Sequence, residues 1–300
     1  MKIKKLLSPK QVCLALLRMT AKWWNDKFYL QVKYFISMHS IPNFDDPKTY
    51  QEKLNWLKLN YRPKGQEIFV DKYEVKKYIE EKLGKEYVVP CYGVWSSFEE
   101  IDFDKLPDQF VLKCTHDSGS YCICRDKKNF DIKKARKRIN KGLRRDYYYN
   151  SREWPYRYCK HRIVAEMLLS PSNGGELKDY KFFCFNGTPK FMYVSNDIAN
   201  HARTDFFDMD YNNLDMRMKD KNSKVLPPKP KMFEKMKALS TKLCEGFPHV
   251  RVDFYIVDDN IYFGELTFYH NGGFQPIYPK KWNVVLGDWI KLPQKINPYN

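Results

Sequence analysis

The sequence predicts an α+β fold of mainly antiparallel sheets with flanking helices and a helical region at the front of the chain. Three observations lead there. Short apolar runs bounded by turn residues, such as Phe110–Cys114 and Tyr121–Cys124, have the length and composition of strands. Several are joined by connections too short for a parallel crossover: Asn186-Gly187 links the strands at 180–185 and 190–195, and Asp259-Asn260 links those at 250–257 and 261–266. Finally, 300 residues with 43% hydrophobic and 16% aromatic content suffice for two or three compact subdomains and exclude a disordered chain.

The elements follow in order. Residues 1–60 read as mostly helical, ending near Arg62-Pro63-Lys64-Gly65. A helix over 71–83 carries Tyr73, Val75, Tyr78 and Ile79 at helical spacing and stops at Gly84. Tyr87-Val88-Val89-Pro90 reads as a short strand and turn, and 98–103 as a connector. The strand Phe110–Cys114 runs into a polar loop at 115–120, then into the strand Tyr121–Cys124. A basic helix spans 133–143, and a buried-type strand at 163–169 ends at Ser170-Pro171-Ser172-Asn173-Gly174-Gly175. Beyond the hairpin strands, 206–208 extends the same sheet and 232–244 is a helix. The expected division is 1–65 (helical), 66–105, 106–170 (with the polar loop) and 171–300.

A net charge of +17 calls for an anionic partner without naming one. The densest basic run, from Lys133 to Arg145, also fits an ordinary solvated helix face. Eight cysteines show no zinc-like spacing, so reduced thiols in a cytoplasmic protein are expected. Lys2, Lys4 and Lys5 precede the apolar run Val12-Cys13-Leu14-Ala15-Leu16-Leu17, which is too short to span a bilayer. A basic amphipathic helix continuing to Trp23, Trp24 and Phe28 can either pack on the body or lie at the inner face of a membrane as a peripheral contact.

Two groups of residues carry candidate chemistry. Lys113 ends an apolar strand before a Ser/Gly loop whose N–H groups can cradle phosphate, although a strand-terminal lysine is also an ordinary surface residue. No GxxxxGK[ST] loop is present. Asp253 and Glu265 fall near each other across the last hairpin, on a shared face if the ladder has no bulge. Paired carboxylates repel unless a cation lies between them, which suits Mg²⁺. Arg251 shares that face, so an Arg–Asp–Glu ion network is the competing reading.

Taken in order, Asp71-Lys72, the stretch FVLKCTHDSG at 110–119, Val164-Ala165-Glu166-Met167-Leu168, DYKFFCFNG at 179–187, and Arg251-Val252-Asp253-Phe254-Tyr255 followed by Gly264-Glu265-Leu266-Thr267 resemble the ATP-grasp superfamily. More narrowly they resemble its TupA-like branch, named for teichuronopeptide biosynthesis and common in bacterial cell-surface polysaccharide pathways. The resemblance implies an ATP-grasp fold over about residues 30–292 and an ATP-dependent carboxylate–amine ligase working through an acylphosphate. It implies that Lys72 and Lys113 contact ATP phosphates, and that Thr115, Ser118, Gly119 and Ser120 belong to a phosphate-covering loop. Glu166, Met167 and Leu169 would form the adenine hinge, and Asp179 would bind ribose, with Lys181 beside it. Asp253 and Glu265 would hold Mg²⁺, joined by Thr267 where many relatives have Asn. Arg251, Lys181 and His270 are the catalytic candidates, His270 as a base for the amine or as a structural loop histidine. The implied substrates are an anionic carboxylate, such as a uronic acid in a polysaccharide precursor, and an amine.

Two other readings compete. Asp208-Met209-Asp210 and Asp102-Phe103-Asp104 match the DxD metal motif of glycosyltransferases. Charge and aromatics alone suggest a nucleic-acid binder, but no helix-turn-helix, RRM or zinc module is recognisable, so no nucleic-acid partner is expected.

Overall fold

The computed structural model describes residues 8–196 and 202–296. Lys2, Lys4 and Lys5 lie outside the described residues. Among the described residues, nine strands form two antiparallel sheets. The first has the order β1-β4-β2-β3, from Cys91–Trp95 (β1), Phe110–Cys114 (β2), Tyr121–Cys124 (β3) and Ile163–Met167 (β4). The second has the order β7-β6-β5-β8-β9, from Asp179–Phe185 (β5), Thr188–Asn196 (β6), Arg203–Asp208 (β7), His249–Val257 (β8) and Asn260–Thr267 (β9).

The front is helical, as expected: Pro9–Met19 (α1), Asp26–Met38 (α2) and Tyr50–Asn60 (α3). Each starts at a polar residue that caps it. Ser8 with Gln11 and Thr49 with Glu52 form reciprocal capping boxes, and Asn25 accepts from the N–H of Phe28 at 2.9 Å. Short Glu67–Val70 (α4) leads to Val75–Lys82 (α5). The helix expected from Asp71 therefore begins four residues later. Asp71 instead accepts from the N–H groups of Tyr73 (2.8 Å) and Glu74 (3.0 Å), a turn that sets the entry.

The strand expected at 87–90 is a further correction. Lys85–Tyr87 forms a 3₁₀ turn, and pairing with β4 begins at Cys91. Pro90 has no N–H to give a ladder, and only its carbonyl pairs, accepting from the N–H of Met167 at 2.9 Å.

Ile132–Leu143 (α6) covers one face of the first sheet through Ala135 and Ile139, its basic side chains facing solvent as a hydrated face would. Gly142 is required for the fit, because a Cβ there would lie 2.5 Å from Ser120 Cβ and 2.6 Å from Cys114 Sγ. Tyr148–Ser151 (α7) precedes β4, Phe233–Leu243 (α8) packs on the second sheet, and Lys281–Trp289 (α9), which the sequence reading had not identified, closes against α3.

On β5 of the second sheet, successive side chains point to opposite faces. Tyr180, Phe182 and Cys184 alternate with Asp179, Lys181 and Phe183 on β5, and the register sets Lys181 opposite Asp253. The final turn is Asp258-Asp259, both at positive φ, rather than Asp259-Asn260. Continued without interruption, that turn would pair Asp253 with Gly264 and turn Glu265 to the opposite face. A bulge between Asp253 and Phe254 intervenes, and Asp253 pairs with Glu265. Gly264 accommodates it: a Cβ would stand 3.1 Å from both the Asp253 carbonyl oxygen and Tyr255 Cε2.

Candidate active site

A cleft of about 430 Å³ opens between the two sheets. One end is apolar, lined by Val75, Ile79, Val89, Ile123, Met167 and Leu169. Lys72, Lys76, Lys113 and the loop residues Asp117, Ser118, Gly119 and Ser120 line its side, and Asp179, Lys181, Asp253, Tyr255 and Glu265 form its floor. A slot for a flat apolar group thus adjoins a region rich in paired charges.

On the cationic side, β2 delivers Lys113 and β4 delivers Glu166, diagonal neighbours on adjoining strands with Glu166 opposite Val111. Glu166 is buried and holds two ammonium groups, Lys113 at 2.5 Å and Lys76 at 2.6 Å. Burial alone would raise its pKa, but Lys113 and Lys76 outweigh it and hold the carboxyl at about 2. Lys76 also donates to the carbonyl of Val89 at 2.8 Å. Sequence reasoning missed Lys76. It lies four residues beyond Lys72, a spacing that in the expected 71–83 helix would place both lysines on one face and could have drawn attention to it.

The loop is held from below. Lys72 Nζ donates to the Asp117 carbonyl, and the Lys72 N–H to the Thr115 carbonyl at 3.1 Å. Ser120 Oγ donates to Asp117 Oδ2 at 2.5 Å. Thr115 does not line the cleft: it is fully buried, and its hydroxyl donates to the Lys160 carbonyl at 3.1 Å.

The floor is a continuous ion network. Arg251 grips Asp253 through Nε and Nη2, both at 2.6 Å, and reaches Glu265 Oε1 from Nη2 at 2.7 Å. Lys181 donates to Asp253 Oδ2 at 2.6 Å and to Asp179. Burial would lower the pKa of Lys181, but Asp253 and Asp179 keep it above its usual value. Burial pushes Asp179 up to about 6 despite Lys181, and its Oδ1 has no partner among the described residues. The remaining guanidinium nitrogen of Arg251, Nη1, donates to His270 Nδ1 at 2.7 Å. Burial, then the charges of Arg251 and Lys181, push His270 well below its usual pKa, so it stands as a neutral imidazole orienting Arg251. Neither His270, Arg251 nor Thr267 lines the cleft; the Thr267 hydroxyl donates to Glu265 at 2.8 Å.

The donor chemistry fits a hard divalent cation that takes most of its ligands from a nucleotide. Arg251 and Lys181 occupy three of the roughly four lone-pair positions of Asp253. The Glu265 side chain is 48% exposed, with protein donors only on Oε1 among the described residues. No group of three or more His, Cys, Asp or Glu able to hold a metal occurs among the described residues, whereas Mg²⁺ needs only one or two carboxylates beside phosphate and water.

Both DxD pairs stand away from the cleft. Asp208 accepts from the N–H groups of Asp210 and Asn212 at the end of β7, and Asp102 accepts from the N–H of Asp104 at a 3₁₀ turn. These carboxylates organise turns.

The model of the TupA-like ATPgrasp family matches residues 52–291. Among curated protein sequences none matches. Among solved structures, D-alanine–D-alanine ligase from Bacillus anthracis aligns at 16% identity and a TM-score of 0.40, over 67% of this chain and 57% of that one. N5-carboxyaminoimidazole synthase from Aspergillus clavatus, in complex with ADP and 5-aminoimidazole ribonucleotide, aligns at 11% and 0.41, over 70% and 47%. The chain thus spans about half the length of these two enzymes.

Proposed function

This chain belongs to the TupA-like ATP-grasp family, and from that premise we propose that it is an ATP-dependent ligase joining a carboxylate to an amine through an acylphosphate. The observation that carries the reading is the single cleft in which an apolar slot, three lysines with a Ser/Gly loop, and the Asp253–Glu265 pair adjoin.

The roles divide along the cleft. Met167 and Leu169 flank adenine, and Asp179, whose Oδ1 has no partner among the described residues, accepts from a ribose hydroxyl. Lys72, Lys113 and the N–H groups of 118–120 meet the phosphates. Asp253 and Glu265 would hold Mg²⁺, which would neutralise charge on the transferring phosphoryl group. Arg251 and His270 keep those carboxylates in place, and Lys181 fixes Asp253 and Asp179 at once. The substrate carboxylate attacks the γ-phosphorus and ADP leaves. The amine then attacks the acyl carbon and phosphate leaves, giving an amide. Closure of the 115–120 loop would exclude water between the two steps. A uronic acid of a bacterial surface-polysaccharide precursor is the proposed carboxylate, and an amino acid or amino sugar the proposed amine.

The test is ADP release with Mg·ATP over carboxylate and amine pairs, uronic acids first. ADP formation that requires both partners is expected. ATP turnover indifferent to every carboxylate, or no nucleotide binding by calorimetry, would overturn the reading.

A further inference from the structure

Helix α1 has two apolar sides. One carries Leu17 and, past its end, Ala21 into a core with Tyr29, Leu30, Phe44 and Phe274. The other is turned to solvent: Val12, Leu16 and Met19 recur at steps of four and three, which aligns them in one stripe, and Trp23 follows in the 3₁₀ turn Ala21–Trp23. Their exposures are 42%, 57%, 79% and 79%. Trp24 and Phe28, rings 4.9 Å apart and also exposed, continue the stripe onto α2. A contiguous exposed apolar patch of this kind marks an interaction surface, since soluble proteins seldom leave one uncovered.

Charge identifies the occupant. Residues 1–25 carry Lys2, Lys4, Lys5, Lys10, Arg18 and Lys22 and neither Asp nor Glu. A second copy of this face would bring like charge onto like charge, and nucleic acid would use the charges but not the apolar stripe. An anionic bilayer uses both, taking basic side chains at its headgroups and Trp, Leu and Met at the acyl boundary. We propose that the outer face of α1 and the start of α2 dock the protein on an anionic lipid surface, lying in the interface rather than crossing it. No described helix is long and apolar enough to cross a membrane. The docked segment is tied firmly to the body: Arg152 donates to the carbonyls of Ala21 (2.5 Å) and Trp24 (3.0 Å) and pairs with Asp26 (2.9 Å). The core it shares with Phe274, in the loop after β9, anchors the docking face to the rest of the molecule.

The test uses the full chain, sedimented with vesicles of equal parts phosphatidylglycerol and phosphatidylcholine, and with phosphatidylcholine alone. Binding to the anionic vesicles and its weakening by salt are expected. Leu16→Glu/Trp23→Glu should lose roughly 100-fold or more in affinity, and Arg18→Gln about fivefold. Met19→Ser, a milder change at a largely exposed site, should weaken binding measurably at an unchanged melting temperature. Wild-type protein that stays in the supernatant, or a double variant that binds as well as wild type, would overturn the proposal. So would a wild-type dimer in ultracentrifugation that the double variant abolishes, which would assign the face to a second copy. None of these readouts depends on ligase activity.

Discussion

Glu166 is the residue on which the cationic wall turns. A carboxylate so buried persists as an anion only because Lys76 and Lys113 face it. Its folded pKa of about 2 lies below the usual 4.5, so its contribution to stability is complete above pH about 4.5 and is lost as pH falls toward 2. Glu166→Gln should therefore cost on the order of 2–3 kcal/mol at neutral pH. In urea melts as a function of pH, the gap to wild type should close below about 4.5. A gap independent of pH would mean that packing, not charge, is what the substitution removes. Lys113 is the more exposed of the two partners, its side chain 33% accessible against 15% for Lys76, and so is the one free to reach a phosphate. Lys113→Ala should weaken ATP binding roughly 10- to 100-fold, the range of one charge-assisted contact, while adenosine affinity measured by calorimetry holds nearly constant. Equal losses for both ligands would point to a folding defect. Sequence reasoning could see Lys113 because it ends an apolar strand. Lys76 was hidden because on a helix a lysine amid polar neighbours looks like any surface residue, and only the fold brings β4 beneath it.

At the scale of elements, strands whose ends are marked by local chemistry were legible to the residue. Phe110–Cys114 and Tyr121–Cys124 are bounded by the polar loop they share. β1 was misplaced because Tyr87, Val88 and Val89 form the more apolar run, whereas pairing with β4 chose Cys91–Trp95. The last hairpin is the instructive case. Equal parity put Asp253 and Glu265 on one face, but the stated condition, an unbulged ladder, does not hold. With either two-residue turn an unbulged ladder sets residues of equal parity on opposite faces, so it is the bulge itself that brings Asp253 and Glu265 together. Bulges leave little trace in a sequence, and here the trace is Gly264. Gly264→Val should push against the Asp253 carbonyl and the Tyr255 ring. The expected cost is about 1–3 kcal/mol in a urea melt, together with weaker binding of Mg·ATP than of metal-free ATP relative to wild type. Unchanged melting would show that the strand yields freely at this point.

For the molecule as a whole, the candidate site belongs to neither sheet alone, and this is why composition could not reveal it. Lys113, Ile123 and Met167 come from the first sheet, Lys72, Val75, Lys76 and Ile79 from the segment around α5, and Asp179, Asp253 and Glu265 from the second sheet, so a ligand filling the cleft ties these parts together. A ligand that binds only the assembled cleft raises stability by about 2.7 kcal/mol at a hundredfold excess over its Kd. Glu265→Gln separates the two readings of the floor. Arg251 already lies between the carboxylates and keeps both grips on Asp253 when Glu265 loses its charge. Without ligand the variant should thus melt within ~1 kcal/mol of wild type, as expected of a half-exposed pair. It should nevertheless lose most of the melting shift that Mg·ATP gives wild type, while retaining the shift given by ATP with EDTA. ADP release should fall by orders of magnitude, the scale of metal stabilisation of a phosphoryl transfer. If Glu265 serves only the ion network, the pattern inverts: the free protein loses stability while Mg·ATP still stabilises it in full and turnover persists. That second pattern would remove Glu265 from the metal site and leave the floor of the cleft as a structural brace.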